Sequence, residues 1–213
     1  MRNILALTLL LSFSLSHDKA SAQDQVKKEL YFGFDVGFFH TMNEANQKNY
    51  GSSSVFGVNI TYCPDPRFAV MFNAGTLSDE YIQDRGSSNP DETYRLKMNQ
   101  FSFSLIYRAP RVSGNPRMRG LTGIGFGTYP TQETSTYLRY PDRNYKGPGA
   151  FMLVGLDIRI LGENSLVFLI KRTFTSSRTR VEYYEEDFSI REDIQADLGG
   201  YSLSVGMRFE VLP

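Results

Sequence analysis

The segment "YSLSVGMRFEV" (201–211) alternates without a break. Tyr201, Leu203, Val205, Met207, Phe209 and Val211 fall on one side. Ser202, Ser204, Gly206, Arg208 and Glu210 fall on the other. Period two marks a β-strand with one apolar and one polar face. The pattern recurs along the chain. In "LYFGFDVGFFH" (30–40), Leu30, Phe32, Phe34, Val36 and Phe38 oppose Tyr31, Gly33, Asp35, Gly37 and Phe39. In "SVFGVNITY" (54–62), Phe56, Val58, Ile60 and Tyr62 oppose Val55, Gly57, Asn59 and Thr61. Further strands are expected over 68–77, 93–107, 120–128, 151–160 and 165–174. Alternation alone leaves one question open. A soluble barrel wraps its apolar face around a ligand, whereas a membrane barrel turns it to lipid.

The strand "TYRLKMNQFSFSLIY" (93–107) changes phase: Tyr94, Leu96 and Met98 give way to Phe101, Phe103, Leu105 and Tyr107. One extra residue near Asn99 and Gln100, a β-bulge, would restore the facing. The connectors also have a rhythm. "CPDPR" (63–67), "RAPRVSGNPR" (108–117) and "LGEN" (161–164) read as turns. The polar stretches 78–92, 129–149 and roughly 175–197 read as long loops, as does the first connector. In an up-and-down meander every second connector lies at the same end, so one end carries turns and the other long loops.

Three features turn the apolar face toward lipid. The strands match the roughly 9–11 residues of a membrane crossing. Turns at one end and long loops at the other is the arrangement of membrane barrels. The polar face is dominated by small residues, among them Gly33, Gly57, Gly75, Gly123, Gly125, Ser102 and Ser204. An eight-stranded barrel has an interior only wide enough for side chains to fill it. Asp35, Asp157 and Glu210 lie on that face with Arg159, Lys171 and Arg208, a near-balanced set that a filled polar interior would pair.

The N-terminus reads as an export signal: "MRN", then the apolar run "ILALTLLLSFSL", then small residues at Ala20 and Ala22. We expect a signal over 1–22 and a single barrel domain over 23–213. Cys63 is the one cysteine, so no intramolecular disulfide forms, and it is expected to pack at a strand end. With 23 basic and 23 acidic residues the net charge is zero, which supplies no field for nucleic acid.

The export signal, eight alternating strands, four long loops and the Phe- and Tyr-rich ending together resemble the small OmpA- and OmpX-like outer-membrane barrels. That resemblance spans nearly all of 23–213 and carries no short motif. It implies an all-β, eight-stranded, antiparallel up-and-down transmembrane barrel with its short turns and both termini on the periplasmic side. It also implies a bacterial outer-membrane location and insertion by the barrel assembly machinery, which reads an amphipathic last strand. Family members often end on an aromatic residue; here Phe209 is followed by "EVLP".

Chemistry is sparse. One histidine, His40, remains outside the signal, and with a single cysteine this disfavours a metal site. His40 with Ser78 and Asp79 at one rim could form an acyl-transfer group, but a rim histidine beside a turn is the simpler reading. Loop tyrosines such as Tyr81, Tyr129 and Tyr145 suit girdles or loop packing. The acidic "EYYEEDF" (182–188) reads as solvated loop. The expectation is a monomeric, cofactor-free, non-enzymatic barrel contacting outer-membrane lipid, with a structural or surface-interaction role through its loops. Alternatives are a soluble lipocalin-like binder, a lipid A acyl-modifying barrel and a narrow channel.

Overall fold

A computed structural model of the protein describes residues 28–42, 52–83, 92–136, 143–185, 188–196 and 199–212. The expected signal over 1–22 lies outside the described residues, as does most of the first long connector. Twelve strands and no helix are found among them: β1 (Glu29–Thr41), β2 (Ser52–Asp65), β3 (Phe68–Gln83), β4 (Glu92–Arg108), β5 (Met118–Thr128), β6 (Thr131–Ser135), β7 (Arg143–Tyr145), β8 (Pro148–Leu161), β9 (Asn164–Thr175), β10 (Ser177–Glu185), β11 (Phe188–Ala196) and β12 (Gly200–Leu212).

Eight of these close into a ring, in the order β1, β2, β3, β4, β5, β8, β9, β12, every neighbouring pair antiparallel. The last strand pairs with the first, from Leu30↔Leu212 to Thr41↔Gly200. Closure leaves no edge in the wall, so every backbone group there finds a partner without water. The turns at 66–67, 109–117 and 162–163 share one end. Asp65 Oδ1 accepts a hydrogen bond from the Arg67 amide at 2.7 Å. Gly162 takes a left-handed φ of 60°, open to glycine without steric cost.

The apolar face points outward. Phe38 is 64% exposed, Phe126 65% and Leu203 58%, and Phe32, Phe72, Phe103 and Ile170 are also exposed. The inward face holds the glycines and serines. Gly125 faces Phe151 on β8, and a Cβ there would stand 2.3 Å from the Phe151 ring. The glycine is therefore what admits the ring to the interior.

β4 contains no bulge. Its register with β3 is continuous through Gly75↔Gln100 and Thr76↔Asn99. The strand runs straight and its surroundings change. In the lower part Phe101, Phe103 and Leu105 look outward and are exposed, while Ser104 and Ile106 are buried inside. In the upper part Arg95 and Lys97 look outward and Met98 is buried inside. With 17 residues β4 is longer than the roughly 9–11 needed to cross a membrane. The surplus stands beyond the apolar band, where an outward position favours charge and an inward one favours carbon.

The same excess corrects the expected loops. β3 and β4 pair as far as Gln83↔Glu92, so 78–83 and 92 are sheet. Within 129–149, β6 pairs with β4 and β7 pairs with β6. Within 175–197, β10 and β11 pair antiparallel, so "EYYEEDF" gives 182–185 to β10 and Phe188 to β11. Outside the apolar band the outward face turns polar, which erases the lipid-facing alternation without removing backbone pairing.

Candidate functional site in the barrel interior

Inward positions from five strands meet at mid-height. Asp35 on β1 accepts hydrogen bonds from Asn59 Nδ2 on β2 (3.2 Å) and Asn73 Nδ2 on β3 (3.3 Å). Gln100 Nε2 on β4 donates to Asn73 Oδ1 (3.3 Å) and to Ser102 Oγ (3.1 Å). Lys171 Nζ on β9 donates to Gln100 Oε1 (2.8 Å) and lies 5.1 Å from the centre of the Phe151 ring. The donors run in one direction, from Lys171 through Gln100 and Asn73 to Asp35. Two opposite charges are thus joined across the barrel by two amides, and each bond polarises the next. Gly57 is part of the fit, since a Cβ there would stand 2.9 Å from the Asp35 carboxylate.

A charged layer lies at the short-turn end. Arg108 Nη2 pairs with Glu29 Oε2 at 2.9 Å, and the Tyr31 hydroxyl donates to the same oxygen at 2.9 Å. Arg119 Nε lies 3.8 Å from Asp157 Oδ2. Arg208 is buried, and its Nη2 meets the Met71 sulfur at 3.6 Å. Above this layer Cys63, Met71, Ile106, Leu121, Leu153 and Val167 form an apolar cluster. Cys63 packs within it as a small apolar residue at the end of β2.

A second apolar cluster closes the long-loop end: Phe39, Leu77, Met98, Tyr129 and Tyr145. The Tyr145 hydroxyl donates to Glu133 Oε2 at 3.1 Å. Burial, reinforced by the Glu133 charge, pushes that hydroxyl up to about 12. Tyr129 and Tyr145 therefore pack inside the wall's upper rim. Tyr81 pairs with Tyr94 at 6.2 Å between ring centres.

The six charges singled out on the inward face do not form one network. Asp35 and Lys171 share the mid-height chain. Asp157 and Arg208 belong to the charged layer. Arg159 pairs with Glu163 in the turn after β8. The Glu210 amide donates to Asn164 Oδ1 at 3.3 Å, near the same turn. Sequence reasoning missed Glu29, Arg108 and Arg119, which fell just outside the expected strand limits. It also missed Asn73 and Gln100 as the links, although both stand on the inward phase.

His40, Ser78 and Asp79 are not brought together. His40 looks outward, with its Nδ1 3.4 Å from Ser52 Oγ. Ser78 is also outward and exposed, and alternation sends the next residue inward. Asp79 accepts a hydrogen bond from Ser53 Oγ at 2.8 Å. The wall separates the acid from the histidine, so this arrangement cannot relay a proton between them.

No protein-family model matches the chain, and no curated protein matches it in sequence. Solved structures do match in fold. The outer membrane protein OprG from Pseudomonas aeruginosa aligns over 91% of this chain and 100% of its own, with a TM-score of 0.67 at 11% identity. Neisserial surface protein A aligns over 85% of this chain and 96% of its own, with a TM-score of 0.56 at 12% identity. At such identities the likeness speaks for architecture: the chain has the fold of the small eight-stranded outer-membrane β-barrels.

Proposed function

We propose that the protein is a sealed outer-membrane barrel whose role is carried by the sheet it raises beyond the membrane at its long-loop end. The observation that carries the sealed reading is the interior filling. The Asp35–Lys171 chain crosses the lumen, with apolar clusters above and below it. An eight-stranded wall leaves little beyond the side chains themselves. The outward apolar band argues against a soluble lipocalin-like binder, which would hide that face. The separation of His40 from Asp79 argues against acyl transfer.

In this reading residues 1–22 are a cleaved export signal and the short turns face the periplasm. The amphipathic β12 serves the assembly machinery, and the closed ring works as a monomer. The extended β3–β4 ribbon, β6, β7 and the β10–β11 pair form the face offered to an extracellular ligand or surface.

Single-channel recording in planar bilayers tests the seal. The folded protein is expected to give no unitary steps, and stable ohmic steps would overturn the sealed reading in favour of a narrow channel. A gel of unheated against boiled sample from purified outer membranes tests the barrel and its location. A mobility difference is expected before boiling, and identical mobility would count against both.

A further inference from the structure

One cation stands on the lipid-facing side of the wall among aromatic rings. Arg172 on β9 shares the outward face with Phe168, Ile170 and Phe174. It sits directly opposite Tyr201 on β12. Its guanidinium carbon lies 4.3 Å from the centre of the Tyr201 ring and 5.1 Å from that of Phe174. Its Nη1 is buried and has no hydrogen-bond partner. Arg172 lies three residues from the upper end of β9, and Tyr201 one residue from the upper end of β12, so the pair stands near the upper edge of the apolar band. A cation on the lipid face is costly at the midplane and tolerated at such an edge.

One concavity is lined by this residue, and a second lies beside its ring partner on the same wall. Arg172 lines a crevice of about 450 Å³ with Met42, Phe126, Pro148, Ala150 and Phe174. Below Tyr201 the wall carries an apolar groove of about 650 Å³, lined by Val36, Phe38, Phe56, Phe168, Leu203 and Val205. Leu203 is the next outward residue after Tyr201 and lines the groove, so the ring and the groove are neighbours on β12. A guanidinium held beside two rings, with one nitrogen lacking a hydrogen-bond partner, is placed to take a phosphate through charge-assisted N–H bonds. An apolar groove beside it, lined by Phe38, Leu203 and Val205, suits an acyl chain.

We infer that Arg172, Tyr201 and the adjoining groove form a binding site for a phosphate-bearing membrane lipid, with the headgroup phosphate on Arg172 and one acyl chain against Phe38, Leu203 and Val205. This rests on the membrane reading given under Proposed function. The site lies on the outside of the barrel and is independent of whether the lumen conducts.

Native mass spectrometry of the folded protein released from detergent micelles tests it, with three probes: phosphatidylglycerol, diacylglycerol of the same chains, and glycerol phosphate. Phosphatidylglycerol is expected to be retained, and the other two to be lost. Arg172→Gln should weaken retention about tenfold, the size of a charge-assisted hydrogen bond. Arg172→Lys should fall between, because it keeps the charge and loses the planar fork. Arg95→Ala, far up β4, should retain lipid like the native chain. Equal retention by Arg172→Gln, or equal retention of diacylglycerol, would overturn the phosphate site. Binding of glycerol phosphate as tight as the lipid would make it a free-anion site and overturn the lipid assignment. Each sample is first run unheated and boiled. A variant that keeps the native mobility difference but loses lipid supports the site, and a native protein without that difference sinks the membrane reading instead.

Discussion

β4 carries two arginine–glutamate pairs, one near each end, and they differ in almost nothing but their surroundings. Arg108 meets Glu29 at 2.9 Å, and Arg95 meets Glu80 at 3.0 Å. The side chains of the first pair are 3% and 15% exposed; those of the second are 68% and 48% exposed. Arg108 points into the lumen below the apolar cluster, and its partner also holds the Tyr31 hydroxyl. Arg95 points away from the barrel above the apolar band, where water solvates both charges. The strand passes from a lipid setting to an aqueous one, and the rule for each face inverts on the way. In the lower part polar groups belong inside and carbon outside. In the upper part carbon belongs inside, as Met98 and Leu96 show, and charge outside.

The sharpest way to break the contrast is to cut the lower pair. Arg108→Ala strands the Glu29 carboxylate in the interior, and loss of one partner of a buried pair costs about 3–5 kcal/mol. The urea midpoint of the folded fraction in vesicles, read by unheated gel mobility, should fall accordingly. Replacing both members, with Arg108→Met and Glu29→Leu, should recover most of that loss, since a well-packed apolar pair can match a buried ion pair. The next largest effect tests the outer wall. Val205→Arg puts a cation on the lipid face near mid-band and should cost about 2–4 kcal/mol. Lys97→Leu, outward on the upper part of β4, should shift stability by no more than about 0.5 kcal/mol. Equal costs for Val205→Arg and Lys97→Leu would erase the boundary between lipid and water that the comparison draws.

The parts of the fold inside the apolar band were legible because a single physical contrast, lipid outside and a narrow lumen inside, writes itself into every second residue. "FSFSLIY" on β4 and "YSLSVGMRFEV" on β12 carry their facing in full, and the pairing of β12 with β1 follows from closure. Beyond the band the contrast fades. Residues 78–83 and 131–135 pair as strands, yet nothing in their polarity separates them from loop. The phase change at Asn99 and Gln100 suggested an inserted residue, whereas the strand had only reached a new solvent. In the interior, charge drew attention to Asp35 and Lys171. The amides that join them gave no comparable signal, because a neutral polar residue on an inward phase looks the same whether or not it bridges two charges.

The smallest expected effect belongs to the upper pair. Arg95→Ala removes a contact as short as the lower one, but both partners remain hydrated when it is gone. Exposed pairs contribute about 0–1 kcal/mol, and salt screens what remains. The urea midpoint of Arg95→Ala should therefore sit close to the native value at 1 M salt, with any difference confined to low ionic strength. Arg108→Ala should show its deficit at both, because its pair lies where mobile ions have little access. If raising the salt removed the Arg108→Ala deficit as well, the lower end of the lumen would have to be open to solvent, and the two ends of β4 would share one environment.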